Sequence, residues 1–106
     1  MTFITLENIQ ERELVPGFRG RFVHTDNMTL AYWRIDAGAA MPEHANPHEQ
    51  MTNLIQGEFE MTVEGETKLI GPGNVVTIPS NALHGGRAVT DCVIIDVFWP
   101  TREEYR

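Results

Sequence analysis

The chain of 106 residues is 42% hydrophobic and 22% charged, a composition typical of a single soluble globular domain. Its 15 acidic and 8 basic residues give a net charge of -7, which disfavours nucleic acid and anionic membrane surfaces as partners. No apolar run approaches the roughly 20 residues that span a bilayer, and the first residues do not form a secretory signal. Cys92 is the single cysteine and cannot form an internal disulfide, so we expect a cytoplasmic protein.

Short runs rich in aromatic and β-branched residues recur about every ten residues and are separated by glycine, proline and other turn residues. They predict strands at residues 3–6, 20–25, 28–36, 51–56, 58–63, 67–70, 74–78, 84–89 and 92–99. Residues 7–14 carry apolar side chains too sparsely for a helix and are predicted to form a turn or loop. The pattern indicates an all-β sandwich or barrel, organised as one domain over residues 1–106.

Residues 38–57 concentrate side chains that could bind a metal ion. Four of these have the same parity, so that an extended chain would point all of them to one side: His44, Asn46, His48 and Gln50. In a straight strand the Cα atoms of His44 and Gln50 would be about 20 Å apart, too far for one ion. The segment is therefore expected to bend, and Pro42 and Pro47 are placed to produce the bends.

The pattern of glycine, five residues, His44 and further ligand-type residues before a strand that ends in glycine resembles the first motif of the cupins. The stretch GPGNVVTIPSNALH, with Gly71, Pro79 and His84 in order, resembles their second motif. The resemblance implies a cupin double-stranded β-helix, also called a jelly-roll barrel. It also implies metal ligands at four positions, His44, Asn46, Gln50 and His84. The usual cupin residues are histidine at position 46 and glutamate at position 50.

The residue types leave some ligand assignments open. His24 is interpreted as a surface or hydrogen-bonded histidine, and Gln50 is either a ligand or a buried hydrogen-bond bridge. Position 46 belongs to the motif, but the imidazole of His48 is the better ligand for a transition ion, so Asn46 and His48 remain alternatives. A neutral ligand set favours Lewis-acid chemistry. The ion is expected to be divalent nickel, copper or zinc ahead of manganese or iron.

The last predicted strand contains one charged residue, Asp96, which shares its parity with Ile94 and Phe98. Its carboxyl group is therefore expected to face the interior, where an unpaired charge is costly. Asp96 is either paired with an arginine that fixes the C-terminal segment or is an acid/base group beside the metal, with Arg102 binding a substrate carboxylate. Four arginines are candidates for an anionic substrate, or else surface residues that keep an acidic protein soluble: Arg21, Arg34, Arg87 and Arg102.

Three segments resemble the pectin-degradation cupins, a family of uronate-linearising enzymes: HEQ, IPSNALHG and DVFWPTREEY. The resemblance implies conversion of 4,5-unsaturated monouronates, which are anionic sugars, into open keto forms. Asp96, Phe98 and Arg102 match the acidic, aromatic and basic functional positions of that family. The alternatives are a non-catalytic cupin that binds a sugar or another small ligand, and a metal-dependent dioxygenase.

The expected assembly is a homodimer. The N-terminal strand is short and apolar, and Trp33 and Trp99 occur where a sheet edge is expected to be exposed. A symmetric partner is a common way to cover such an edge.

Overall fold

The computed structural model describes residues 1–106 and contains ten strands in two antiparallel sheets. The strands are β1 Arg12–Val15, β2 Phe18–His24, β3 Thr29–Ile35, β4 Ala40–His44, β5 Glu49–Gln56, β6 Phe59–Val63, β7 Glu66–Ile70, β8 Val75–Ile78, β9 His84–Ala88 and β10 Cys92–Trp99. One sheet has six strands in the order β1-β2-β3-β10-β5-β8, and the other has four in the order β4-β9-β6-β7. The two sheets enclose one core as a jelly roll, which confirms the predicted fold class.

The helices are two three-residue 3-10 turns, Leu6–Asn8 and Glu103–Tyr105. Neither has the length or the apolar character that crossing a bilayer requires.

The N-terminal region differs from its prediction. Residues 3–6 do not form a strand, and the exposed side chains of Phe3 and Ile4 have no sheet to pack against. Part of the predicted loop at 7–14 belongs to β1, a polar edge strand that pairs only with β2 and contains an irregularity between Glu13 and Val15. An edge strand with one neighbour buries little surface, so its sequence lacks the apolar alternation by which the other strands were predicted.

The bend near Pro42 contains a strand, β4, that the sequence pattern did not indicate. Pro42 lies within this strand, and the register with β9 shifts between Met41 and His44. β4 is at the edge of the smaller sheet and has a neighbouring strand on one side only. Proline has no backbone N–H, but on the open side of an edge strand there is no ladder hydrogen bond to lose. The proline therefore bends the chain without breaking the sheet.

The aromatic core is built around Trp33 on β3. Its side chain is only 4% exposed, whereas that of Trp99 is 59% exposed. Gly20 on the neighbouring strand makes room for the indole, because a Cβ atom there would lie 2.9 Å from the ring. Trp33 is thus a core residue, and the expectation that it lies at an exposed edge is wrong.

Strand register brings the polar residues of both sheets towards one region of the interior. In the larger sheet Asp96 on β10 lies opposite Thr52 on β5, and Gln50 is two residues earlier on the same side of β5. In the smaller sheet His44 lies opposite His84. Alternate residues of β5 and β10 are buried, so these polar groups share the core side of the larger sheet.

Candidate functional site

One cavity contains most of the side chains that the sequence singles out. Its volume is about 60 Å³, counted as the space that the centre of a water molecule can occupy. Its polar lining consists of His44 and His84 from the smaller sheet, Gln50, Thr52 and Asp96 from the larger sheet, and Arg102 and Tyr105 from the C-terminal segment. Apolar and aromatic residues, among them Trp33 and Phe98, complete the walls. A largely apolar pocket with a few convergent polar groups is typical of a small-molecule site.

The two cavity histidines are held with the same ring nitrogen free. Nδ1 of His44 lies 2.9 Å from the carbonyl oxygen of Pro42, and Nδ1 of His84 lies 2.9 Å from that of Ala82. A carbonyl can only accept, so each Nδ1 carries a hydrogen, and in the neutral ring the lone pair is then on Nε2. The ring centroids are 4.3 Å apart. Such backbone contacts are how proteins orient histidines that bind metal ions.

The pKa of His84 favours the neutral, ligand-competent form. Burial lowers this pKa, and the nearby His44 and Arg102 act in the same direction, while the hydrogen bond to Ala82 opposes them. Since an imidazole must be unprotonated at the nitrogen that binds a metal, His84 is prepared for that role at neutral pH.

A chain of hydrogen bonds connects Gln50 to Asp96. The hydroxyl of Thr52 donates to Oδ1 of Asp96 at 2.7 Å, and Nε2 of Gln50 donates to the same hydroxyl at 3.0 Å. An ionised carboxylate can only accept, so the single hydroxyl proton of Thr52 is committed to Asp96 and Gln50 must present its NH2 group. The amide oxygen of Gln50 is therefore the atom left for a cation. Gln50 is therefore a buried hydrogen-bond bridge, as one of the two alternatives predicted. Its role as a metal ligand stays a prediction.

Asp96 is a buried carboxyl group without an ion-pair partner. Its side chain is 8% exposed, accepts a second hydrogen bond from Nε1 of Trp33 at 3.0 Å, and is not paired with any arginine. The structural alternative of an Asp96–arginine pair is thus not what this structure contains. Burial raises the pKa of Asp96 from 3.8 to about 6, although the hydrogen bonds from Thr52 and Trp33 and the charge of Arg102 act against the rise.

The raised pKa predicts how stability depends on pH. Between pH 3.8 and about 6 the unfolded chain has lost the Asp96 proton and the folded chain has kept it, so raising the pH favours unfolding. The loss amounts to about 3 kcal/mol and is complete above about pH 6. In metal-free protein, the free energy of unfolding should therefore fall by most of this amount relative to Asp96→Asn between pH 4 and pH 7, as measured by urea denaturation. A difference that stays constant with pH would show that Asp96 titrates normally.

Asn46 and His48 lie outside the cavity lining. The side-chain oxygen of Asn46 accepts a hydrogen bond from the backbone N–H of His48 at 3.0 Å, which stabilises the bend between β4 and β5. The ring of His48 lies against the C-terminal segment, with Nε2 3.3 Å from the carbonyl oxygen of Thr101. Both residues are half-buried, unlike the exposed residues on either side of them, and their role as metal ligands stays a prediction.

The other predicted candidates are also accounted for. His24 makes a hydrogen bond of 2.8 Å with Thr29, in agreement with its interpretation as a hydrogen-bonded histidine. Arg21 and Arg34 both bind Glu11, at 2.9 and 2.7 Å, and Arg87 is exposed on β9. Of the four candidate arginines, only Arg102 lines the cavity.

The cavity lining contains the types of donor that could hold a divalent transition ion. No group of three or more histidine, cysteine, aspartate or glutamate side chains is arranged to bind a metal. The available donors are instead Nε2 of His44, Nε2 of His84 and the amide oxygen of Gln50. Three protein ligands leave room for substrate in a catalytic metal site. Two imidazoles and one neutral oxygen suit nickel, copper or zinc, and are weaker for manganese and iron.

Three cavity residues with polar side-chain groups, Thr52, Trp33 and Tyr105, were not identified as site residues from the sequence. Thr52 shares its parity with Gln50 on β5, a signal that could have revealed it. Trp33 alternates with Ala31 and Ile35, but nothing local indicates that its indole N–H reaches a residue on another strand. Tyr105 belongs to a 3-10 turn beyond the last strand, where no periodicity predicts which side chain faces inward.

Comparison with known proteins identifies relatives of similar size. The family profile described as Cupin domain matches residues 31–98. The pectin degradation protein KdgF of Dickeya dadantii is 26% identical over 96 residues, covering 88% of this chain and 87% of that protein. The structure of KdgF from Halomonas sp. superposes with a TM-score of 0.94 at 28% identity, covering 100% of this chain and 99% of that one. An RmlC-like cupin from Shewanella frigidimarina gives a TM-score of 0.95 at 25% identity, covering 100% and 96%.

Proposed function

We propose, from the premise that this chain belongs to the cupin domain family, that it is a metal-dependent enzyme that opens 4,5-unsaturated monouronates to linear keto sugars. A relative named pectin degradation protein KdgF, and the similar structure of another KdgF, support this substrate class. The observation that carries the proposal is the convergence of three groups on one cavity: a buried carboxyl group with a pKa of about 6, a guanidinium group and an oriented histidine pair.

The proposed reaction is an isomerisation, so no oxidant or second substrate is needed. The anomeric hydroxyl of the cyclic uronate loses its proton as the bond between C1 and the ring oxygen breaks. C1 becomes an aldehyde, and the ring oxygen stays on C5, which becomes a ketone as C4 accepts a proton. Such a reaction requires a group that can take up and release a proton near neutral pH, together with a group that holds the substrate carboxylate.

Asp96 is the proposed proton-transfer residue. With a pKa of about 6, the Asp96 carboxyl group can both take up and release a proton near neutral pH. Its two hydrogen bonds, from Thr52 and Trp33, fix its orientation in the cavity. Arg102 is proposed to bind the substrate carboxylate through its planar group of donors, and Phe98 to form an apolar wall beside it.

The proposed metal ligands are His44, His84 and Gln50. A divalent ion held by these neutral donors would act as a Lewis acid that polarises an oxygen of the sugar. The carbonyl oxygens of Pro42 and Ala82 orient the two histidines, and the Thr52 hydroxyl orients Gln50, whether or not substrate is present. Orientation of this kind lowers the reorganisation needed during reaction.

The direct test is to incubate metal-loaded protein with unsaturated galacturonate and follow the loss of absorbance from its conjugated double bond. We expect loss faster than the spontaneous rate, and an open-chain keto product by NMR. The matched control is Arg87→Gln, which changes an exposed arginine and should leave the rate unaltered. Binding of the sugar without turnover would instead support a non-catalytic cupin, and oxygen consumption would support a dioxygenase.

A further inference from the structure

We propose that Glu104 and Tyr105 are positioning residues, which hold the Arg102 guanidinium in place before substrate arrives and leave its terminal nitrogens free for a carboxylate. The C-terminal 3-10 turn is then part of the substrate site. The inference rests on the proposed function in taking an anionic sugar as the ligand, but it concerns binding and can be tested without turnover.

The guanidinium of Arg102 lies against two aromatic rings. Its central carbon is 4.3 Å from the ring centroid of Tyr105 and 4.8 Å from that of Phe98. The two rings are 5.8 Å apart and inclined at 73°. Stacking on aromatic faces is favourable for a guanidinium and restricts its rotation, because a planar cation fits a ring face in few orientations.

A carboxylate holds the inner nitrogen of the same group. Nε of Arg102 donates a short hydrogen bond to Oε1 of Glu104, and no other carboxylate pairs with this guanidinium. Burial opposes ionisation of Glu104, but the hydrogen bond and charge of Arg102 outweigh it, so the pKa of Glu104 is lowered. The Arg102 side chain is only 13% exposed. Glu104 contacts only Nε, so the terminal nitrogens Nη1 and Nη2 remain for a ligand inside the cavity.

The turn that carries these residues is itself anchored to the larger sheet. The ring of Tyr105 stacks on Phe22 with the centroids 4.6 Å apart, and its carbonyl oxygen accepts hydrogen bonds from Arg12 and from His24. The backbone N–H of Arg102 donates to Thr29 at 2.9 Å. The C-terminal turn is thus fixed at several points, as a preformed binding group requires.

Two alternative roles for Glu104 predict opposite changes in carboxylate affinity for Glu104→Ala. If Glu104 only repels anions, removing its charge should strengthen the binding of a carboxylate in every variant. If it orients Arg102, Glu104→Gln should bind at least as well as wild type, because an amide oxygen still accepts from Nε. Glu104→Ala should then bind about 3- to 10-fold more weakly, the cost of ordering one long side chain on binding.

The experiment is calorimetric titration of the metal-loaded protein with D-galacturonate, which has no double bond to react. Besides the two Glu104 variants we expect Tyr105→Leu to bind about 3- to 10-fold more weakly, because it removes the ring on which the guanidinium lies. Glu103→Gln is the matched control, since Glu103 pairs with Arg106 on the protein surface. Melting temperatures identify any variant that fails to fold.

A double-mutant cycle separates positioning from a general structural effect. In an Arg102→Ala background, Glu104→Ala and Tyr105→Leu should cause no further loss of galacturonate affinity. Additive losses, stronger binding by Glu104→Ala, or no measurable galacturonate binding by wild type at millimolar concentration would each overturn the inference. If the binding pattern is as expected but unsaturated galacturonate is not turned over, the positioning inference stands and the proposed enzymatic function fails.

Discussion

Asp96→Asn is expected to lower kcat by about 10²- to 10⁴-fold while changing KM little, the loss typical of a removed general acid or base. Asparagine keeps the shape of the side chain and can still accept from Trp33, but it cannot exchange a proton with the substrate. The rate is measured as the loss of absorbance of unsaturated galacturonate. Metal content is measured on the same preparations.

The control for this variant is Asp26→Asn, which changes an exposed carboxylate in the turn between β2 and β3 and should keep the wild-type rate. Near-normal turnover by folded Asp96→Asn, together with a changed melting temperature, would assign Asp96 a structural role. In that case the strand residues that hold it, Thr52 and Trp33, would be part of the core and not of a catalytic centre.

His44→Ala and His84→Ala are each expected to abolish tight metal binding. Each substitution removes one of the two imidazole donors of a site with three protein ligands, so the remaining donors are too few to compete with water. The measurement is metal content by mass spectrometry after dialysis. Gln50→Leu should weaken binding by roughly 10-fold or more, because it removes the third donor and the contact that orients it.

Two other histidine substitutions provide matched controls. His24→Ala and His48→Ala remove imidazoles that lie outside the cavity lining, and both should retain metal at the wild-type level. Equal metal in wild type, His44→Ala and His84→Ala would mean that these two histidines are structural. Loss of metal in His48→Ala would instead restore His48 as a ligand.

Much of the larger sheet is predictable because its strands alternate. On β10 every second residue from Cys92 to Phe98 is buried, so the parity of Asp96 was enough to place its carboxyl group inside. Asn46 and His48 lie in the bend between β4 and β5, where both are half-buried between exposed neighbours but stay outside the cavity lining, so their role as metal ligands stays a prediction. Local sequence does not specify how far such a bend rotates each side chain.

The partners of the site residues could not be derived in the same way. An arginine partner for Asp96 was one of two alternatives from the sequence, whereas the structure supplies a threonine and a tryptophan from two neighbouring strands. Which residues face each other across strands depends on register, and the register of β3, β5 and β10 is set by turns and core packing distant from Asp96. The nearest sequence clue was the parity of Thr52 with Gln50.

The shared hydroxyl of Thr52 links the chemistry of positions 50 and 96. The hydroxyl has one hydrogen, and it donates this hydrogen in a hydrogen bond to Asp96. A glutamate at position 50, the usual cupin residue, would set a second carboxylate against the same hydroxyl and could not donate to it. One of the two acids would then have to stay protonated, as in other carboxylate pairs that share a single proton. Glutamine at 50 and aspartate at 96 are therefore a compatible pair, because only position 96 then carries an acid and the Thr52 hydroxyl serves both side chains.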